Sequence, residues 1–207
     1  MGAQFTELVS GVVLDDITGL LNYSADGLQA TALPGLFKGY PVEIDIKSDW
    51  DADEVFRARV YGEMPAAIVI PEELMELEPL FARATGSSQW DVNVIVAAVD
   101  SVAERETWLE VYSELEGVSV DLPAPLQKPA EESWPLLVRY PIKAAEHMVT
   151  ADFPGRLQMK MELSKLDSRP VRASVELGGS VDQLPEPGLF KVSGESAEFD
   201  LDGWVDL

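Results

Sequence analysis

The sequence predicts a mainly β fold of the α+β class, with one short helix and an antiparallel, meander-like sheet. Two observations predict it. Short stretches in which apolar and polar residues alternate recur along the whole chain, and this is the period of a half-buried strand. Turns rich in Gly, Pro and Asp separate these stretches, and strands joined by short turns are most often neighbours. We therefore expect a sheet with one apolar and one polar face.

Composition limits the classes of function. The chain has 207 residues, 46% of them hydrophobic, which is enough for one large β domain or two small ones. Lys and Arg total 15 against 37 Asp and Glu, so the formal net charge is −22. Such a surface repels phosphate backbones and anionic headgroups, so we expect no nucleic-acid partner. The acidic residues fit a solvated sheet face, and adaptation to a salty habitat is the other interpretation.

The first half of the chain opens with a hairpin in "ITGLLNYSADGLQATAL", where Asp-Gly supplies the reversal. The next stretch, "PVEIDIKS", places Val42, Ile44 and Ile46 on one side of a strand. The stretch "VFRARVYG" then places two arginines opposite its apolar residues.

One helix is predicted, over about residues 71–86 in "PEELMELEPLFARATG". Pro71 suits a first helical turn, the glutamates that follow complement the helix dipole, and Gly86 suits the residue after the last turn. Pro79 lies inside this pattern, so a kink or a division is expected there.

Most of the predicted strands follow the helix. They are "QWDVNVIV", "ETWLEVYSEL", "GVSVDL", "PLLVRYPI", "RLQMKMEL", "RPVRASVEL" and "FDLDGWVDL", of which the second and third are two strands or one bulged pair. About ten strands in the whole chain expose more apolar face than one short helix covers. The sheet must therefore fold over onto itself, pair with a second sheet or enclose an apolar guest. The methionine-rich stripe in "RLQMKMEL" suits irregular apolar shapes, and an ordinary core stripe is the alternative.

Catalytic and metal-binding motifs are weak. His147 is the single histidine and there is no cysteine, so a typical zinc site and a disulfide are not expected. The acidic stretch "DWDAD" at 49–53 lacks the central glycine and closing glutamate of a calcium loop. No serine or cysteine stands in a nucleophile motif. We therefore expect neither an enzyme nor a cofactor.

A proline-rich loop over about residues 123–135 interrupts two strands in "SVDLPAPLQKPAEESWPLLV". Pro123, Pro125 and Pro129 have no amide donor, which confines the segment to a sheet edge or a loop.

This proline-rich stretch resembles a hallmark of the YhdP branch of the AsmA-like proteins, in which a "DLPAPLGKPA" segment is followed by a return strand. The hairpin that continues into "PGLFKGYPVEIDI" is similar to the repeated hairpin of that family, and "FDLDGWVDL" is similar to its "LDLDGW" strand. Gln127 stands where a glycine is usual. The resemblance spans nearly the whole chain.

The resemblance implies that residues 1–207 are a single excerpt of a larger periplasmic protein, anchored in the inner membrane by a helix outside this sequence. It implies a strongly curved sheet that forms a groove or half-open sandwich and carries phospholipid acyl chains between the inner and outer membranes, supporting outer-membrane integrity. Neighbouring segments of the parent chain would be partners, and the raw edges of the excerpt would allow an edge-to-edge homodimer.

A structural or scaffolding β domain with a closed core and no lipid is the alternative. In the lipid interpretation the alternating residues line the groove, namely Val42, Ile44, Ile46, Val92, Val94, Val96, Leu157, Met159, Met161, Leu163, Val171 and Val175.

Overall fold

The structure is a computed structural model that describes residues 3–6, 13–25, 27–48, 54–69, 82–97, 106–144, 147–167 and 169–205. Within these ranges the chain forms many strands and two short helices. The strands are β1 (Ala3–Thr6), β2 (Val13–Ile17), β3 (Asn22–Ser24), β4 (Gly27–Phe37), β5 (Tyr40–Ser48), β6 (Glu54–Pro65), β7 (Ala84–Ala97), β8 (Thr107–Ser113), β9 (Val118–Val120), β10 (Leu136–Lys143), β11 (Met148–Phe153), β12 (Leu157–Leu163), β13 (Pro170–Leu177) and β14 (Phe190–Gly194). The helices are α1 (Ala66–Val69) and α2 (Leu201–Val205).

The strands form one mixed sheet that does not close. Its order is β1-β2-β4-β5-β6-β7-β8-β10-β11-β12-β13-β14, while β3 pairs with β4 and β9 pairs with β7. The predicted antiparallel meander is mostly correct, because neighbours such as β4 and β5 or β12 and β13 run antiparallel. The prediction is wrong for β14, which pairs with β13 in parallel. Parallel strands are joined by a crossover connection. The prediction assumed that neighbouring strands are joined by short turns, which connect antiparallel strands.

The chain divides into two compact units, of which unit 1 comprises Met1–Glu63, Trp90–Tyr112 and Val138–His147. In unit 1 Ile44 on β5 lies opposite Leu33 on β4 and Val60 on β6. All three side chains are buried. The core of unit 1 therefore lies on the face of the sheet that these alternate residues share.

Unit 2 comprises Met64–Gln89, Ser113–Leu137 and Met148–Leu207. Here Met161 on β12 lies opposite Val149 on β11 and Ala173 on β13, and all three are buried. The proline-rich segment runs as a loop between β9 and β10, and a single bridge joins Val120 to Lys128.

The region of the predicted helix differs from the prediction where it is described. The short helix α1 ends at Val69, residues 70–81 lie outside the described ranges, and residues 84–86 belong to β7. Gly86 has a φ of +104° and pairs with Val118 on β9. A Cβ at Gly86 would lie 2.2 Å from the carbonyl oxygen of Gly117. The glycine therefore permits two backbones to approach closely inside a sheet and does not end a helix.

The predicted strand in "FDLDGWVDL" is wrong, because residues 201–205 form helix α2. The Asp200 carboxylate accepts a hydrogen bond from the Gly203 amide at 2.9 Å, as a helix-capping residue does. The Trp204 indole donates to the Ala124 carbonyl oxygen at 2.9 Å. These two hydrogen bonds stabilise the helix, although the apolar–polar alternation of the stretch favours a strand.

Candidate functional site

The candidate site is the apolar side of the sheet, which we describe separately for the two units. The unit 1 apolar face is defined by residues on five strands that share one side. Its members are Leu33 on β4, Val42, Ile44 and Ile46 on β5, Val60 on β6, Val92, Val94 and Val96 on β7, and Leu109 and Val111 on β8. Val42 and Ile44 are buried, while Ile46, Val92, Val94 and Val96 are half-buried.

A charged network on the opposite side of unit 1 determines which residues face the apolar side. Arg59 on β6 donates two hydrogen bonds to the Asp91 carboxylate on β7, from Nε to Oδ1 at 2.9 Å and from Nη2 to Oδ2 at 2.7 Å. Arg59 also reaches Asp45 on β5 at 3.4 Å. Asn93 donates to Asp91 at 2.8 Å and accepts from Arg57 at 3.1 Å. Because side chains alternate along a strand, this network holds the intervening valines and isoleucines on the other face.

The carboxylates of Asp91 and Asp45 stabilise the positive charge of Arg59. The hydrogen bond to Asp91 raises the pKa of Arg59, an effect that outweighs the desolvation of its guanidinium. The guanidinium also lies 5.0 Å from the centre of the Tyr61 ring. Arg59 is therefore charged at every accessible pH, and it acts as a fixed clamp between β5 and β7.

The unit 2 apolar face is defined in the same way by four strands. Its members are Val149, Ala151 and Phe153 on β11, Leu157, Met159, Met161 and Leu163 on β12, Val171, Ala173 and Val175 on β13, and Phe190 and Val192 on β14. Leu157, Met161 and Leu163 are buried, whereas Met159, Val171 and Val175 are half-buried.

Exposure along the unit 2 apolar face rises towards β14. One row across the strands joins Met161, Ala173 and Phe190, whose exposed fractions are 2%, 3% and 65%. The next row joins half-buried Met159 and Val175 to Val192, which is 53% exposed. The face is therefore packed at β11 and β12 and open to solvent at β14.

The opposite side of unit 2 carries the connection between β13 and β14. Lys160 donates to the Val181 carbonyl oxygen at 2.6 Å, and Gln158 accepts from the Val181 amide at 2.9 Å. Arg172 pairs with Glu162 at 2.6 Å and donates to the Pro185 carbonyl oxygen at 3.1 Å. The polar residues of β12 and β13 thus hold the crossover that makes β14 parallel.

The twelve residues predicted from alternation fall into two sets of six. Val42, Ile44, Ile46, Val92, Val94 and Val96 belong to unit 1, and Leu157, Met159, Met161, Leu163, Val171 and Val175 belong to unit 2. Within each unit, the strand register brings its set together on one face. Phe190 and Val192 were missed, although their alternation with Lys191 in "FKVSG" is a usable signal.

Lys128 is a further residue that the sequence does not single out. Lys128 is 1% exposed, and its ammonium group donates to the carbonyl oxygens of Leu115, Val118 and Pro129 at 2.8, 2.7 and 3.0 Å. Burial lowers the pKa of Lys128, and the nearby Glu132 and Glu131 oppose that effect. The side chain therefore holds the proline-rich loop to the β8–β9 connection from the inside.

The described residues contain no group of three or more His, Cys, Asp and Glu side chains placed to bind a metal ion. His147 is half-buried, and the acidic stretch at 49–53 lies outside the described ranges. Among the helices that the structure describes, none has the length and apolarity to cross a membrane.

A model of the YhdP protein family matches residues 7–207. The chain belongs to the YhdP family. The match includes the proline-rich loop, both apolar faces and Lys128. No curated protein and no solved structure matches the chain. Membership in the YhdP family therefore confirms the resemblance seen in the sequence.

Proposed function

We propose that this chain is a lipid-binding and lipid-transport segment, whose apolar faces carry phospholipid acyl chains between the inner and outer membranes. The parent protein would be anchored in the inner membrane, with this segment in the periplasm, and its work would support the outer membrane. Phospholipid acyl chains and neighbouring segments of the parent chain are the proposed partners. An edge-to-edge homodimer stays a prediction.

The observation that carries this proposal is the graded exposure of the unit 2 apolar face. A closed core leaves few large apolar side chains in water, yet Phe190 and Val192 continue the Met161 and Met159 rows with more than half of their surface exposed. Methionine adapts its shape to irregular apolar partners, and Met159 is accessible beside this opening. Family membership supports the same interpretation, because the YhdP resemblance implies lipid transport.

The proposed mechanism is passive and requires no catalysis. Burying one methylene group is worth about 0.8 kcal/mol, so an acyl chain of about fifteen carbons prefers an apolar groove to water by roughly 10 kcal/mol. A bilayer offers a similar environment, so the groove lowers the barrier between two membranes without setting a direction. The energy that drives net transport would come from outside this segment.

A closed-core scaffold is the second candidate function, and the burial of the unit 1 apolar face favours it. Ile44 is 1% exposed, Val111 5% and Val42 7%, as in a solid core. Under this alternative the sheet would space or connect partners, and no lipid would bind.

Native mass spectrometry of the protein purified from bacterial cells, followed by solvent extraction and lipid identification, separates the two candidates. We would compare the wild type with Met159→Asp and Val175→Asp, which place a carboxylate on two half-buried positions of the same row. Leu166→Asp is the matched control, because Leu166 is 97% exposed in the turn after β12 and lies outside the face. Thermal unfolding verifies that each variant is folded.

The proposal predicts co-purified phospholipid in the wild type and in Leu166→Asp, and its loss from folded Met159→Asp and Val175→Asp. Wild-type protein without lipid would contradict the proposal and favour the closed-core scaffold. Lipid retained in all variants would show that lipid does not bind on the unit 2 apolar face.

A further inference from the structure

Strand β14 forms an open edge of the described sheet. It stands last in the strand order and pairs with β13 alone among the strands that the structure describes. Phe190 and Val192 on this strand are 65% and 53% exposed, and Lys191 and Gly194 are exposed as well. The outer edge of such a strand carries unpaired amide and carbonyl groups, which can pair with a further strand.

The hydrogen bonds to β13 show which backbone groups of β14 point outwards. The carbonyl oxygen of Leu189 accepts from a β13 amide at 3.2 Å, and the amide of Glu195 donates to a β13 carbonyl oxygen at 3.1 Å. Because alternate residues of a parallel strand bond to the same neighbour, the odd-numbered residues of β14 face β13. The amides and carbonyl oxygens of Phe190, Val192 and Gly194 therefore point away from the sheet.

These outward groups can meet those of a second copy of the chain in an antiparallel pair. Two registers place both Phe190 and Val192 opposite residues of β14. In the first register Phe190 lies opposite Val192, so Lys191 lies opposite the same lysine of the second copy, and like charges directly opposite are destabilising. In the second register Val192 lies opposite Val192. Lys191 then lies opposite Ser193, and Phe190 lies opposite Gly194, so no like charges meet.

Side chains in this second register are complementary on both sides of the sheet. On the apolar side, the Phe190 ring covers Gly194 of the second copy, which has a φ of +114° and no space for a Cβ against β13. An aromatic ring opposite a glycine stabilises such a strand pair. On the polar side, Lys191 lies opposite Ser193 of the second copy, whose hydroxyl donates to the Glu176 carboxylate at 2.6 Å. The lysine of each copy therefore approaches a carboxylate of the other.

We propose that β14 is a self-association edge, at which two copies of this chain pair antiparallel with Val192 opposite Val192. Directly opposite residues of paired strands lie on the same side of a sheet. The unit 2 apolar faces of the two copies would therefore join into one face across both β14 strands. This inference goes beyond the proposed function and does not rest on it, because the pairing uses backbone groups and side chains of the protein alone.

Sedimentation velocity over a range of protein concentrations tests the pairing, with wild type, Val192→Asp, Val192→Lys and an equimolar mixture of the two variants. In the proposed register each variant alone places two like charges directly opposite each other, whereas the mixture places a carboxylate opposite an ammonium group. Val192→Glu replaces Val192→Asp if that variant does not fold. Leu166→Asp and Leu166→Lys are matched controls for the change in net charge, because Leu166 is 97% exposed in the turn after β12.

We expect wild type to dimerise and each Val192 variant to raise the dimer Kd by about fivefold or more. The mixture should form a heterodimer at least about fivefold more tightly than either variant forms a homodimer. The Leu166 variants should keep the wild-type Kd. The wild-type dimer should also strengthen between about 0.15 and about 1 M salt, because two copies with a net charge of −22 repel each other and the Debye length falls from about 8 to about 3 Å.

Three other results would overturn the proposal. A wild type that stays monomeric at every concentration would show that the β14 edge does not self-associate. A dimer that neither Val192 variant weakens would have its interface elsewhere, and a dimer that both weaken without recovery in the mixture would have another register. Growth into open chains of copies would show head-to-tail contacts in place of a closed, symmetric pair.

Discussion

Arg59 and Asp91 form a two-point ion pair across β6 and β7, with Nε–Oδ1 and Nη2–Oδ2 distances of 2.9 and 2.7 Å. A slip of one residue between neighbouring strands would exchange their apolar and polar sides. This pair cannot form in the slipped register. It therefore contributes to the choice of face as well as to stability, and the unit 1 apolar face depends on it.

We predict that Arg59→Gln lowers the free energy of unfolding by about 1 kcal/mol, since the bidentate pair is strong but partly screened by solvent. The Arg59 side chain is 37% exposed, which keeps the loss modest. Arg169→Gln is the matched control, because Arg169 lies 3.7 Å from Asp167 and is 70% exposed. Urea unfolding of both variants checks the prediction, and equal losses would contradict the special role of Arg59.

Gly86→Ala should be among the most damaging small substitutions. Its φ of +104° strains any other residue, and the new methyl group would overlap the Gly117 carbonyl oxygen. We expect a loss of about 2–4 kcal/mol. Gly39→Ala is the control, because Gly39 also has a positive φ, +86°, but open space around it, so its cost is only about 1 kcal/mol. Comparable melting temperatures for the two variants would refute the close approach of β7 and β9.

Lys128→Met should lower the free energy of unfolding by about 2–4 kcal/mol, because three carbonyl oxygens lose a charged donor inside the protein. Lys191→Met, at an exposed position on β14, should change stability by less than about 0.5 kcal/mol. Chemical unfolding measures both. A neutral effect of Lys128→Met would show that the buried ammonium group does not hold the loop.

The same lysine predicts a pH dependence with a definite sign. Burial lowers the pKa of Lys128 in the folded state below its ordinary value of 10.5. In the pH range just below 10.5 the unfolded chain therefore binds the proton more often than the folded chain, so this group makes the protein more stable as the pH rises. We expect the stability difference between wild type and Lys128→Met to widen towards pH 10.5. Unfolding titrations at a series of alkaline pH values test this, and a narrowing difference would contradict it.

Much of the sheet could be predicted because alternation reports the side on which a residue lies. Ile44 and Asp45, or Met159 and Lys160, fall on opposite sides of their strands as the period of two requires. The same pattern failed in "FDLDGWVDL", where the Asp200 cap and the Trp204 contact with Ala124 favour a helix. A tertiary contact of that kind leaves no periodic signal.

Two features of unit 2 could not be predicted from the sequence, because they also depend on tertiary contacts. The parallel pairing of β14 depends on a crossover held by Lys160, Gln158 and Arg172, three polar residues that alone indicate only a solvated face. Lys128 stands between a glutamine and a proline, a context typical of an exposed loop. Its burial depends on carbonyl oxygens from three other positions.

Site-specific photo-crosslinking in bacterial cells tests whether phospholipid lies on the unit 2 apolar face. A photoreactive phenylalanine analogue would replace Val192 in one variant and Lys191 in another, which are adjacent, exposed residues on opposite sides of β14. We predict a phospholipid adduct at Val192, on the unit 2 apolar face, and none at Lys191. Lipid adducts at both positions, or at neither, would contradict a lipid route on that face.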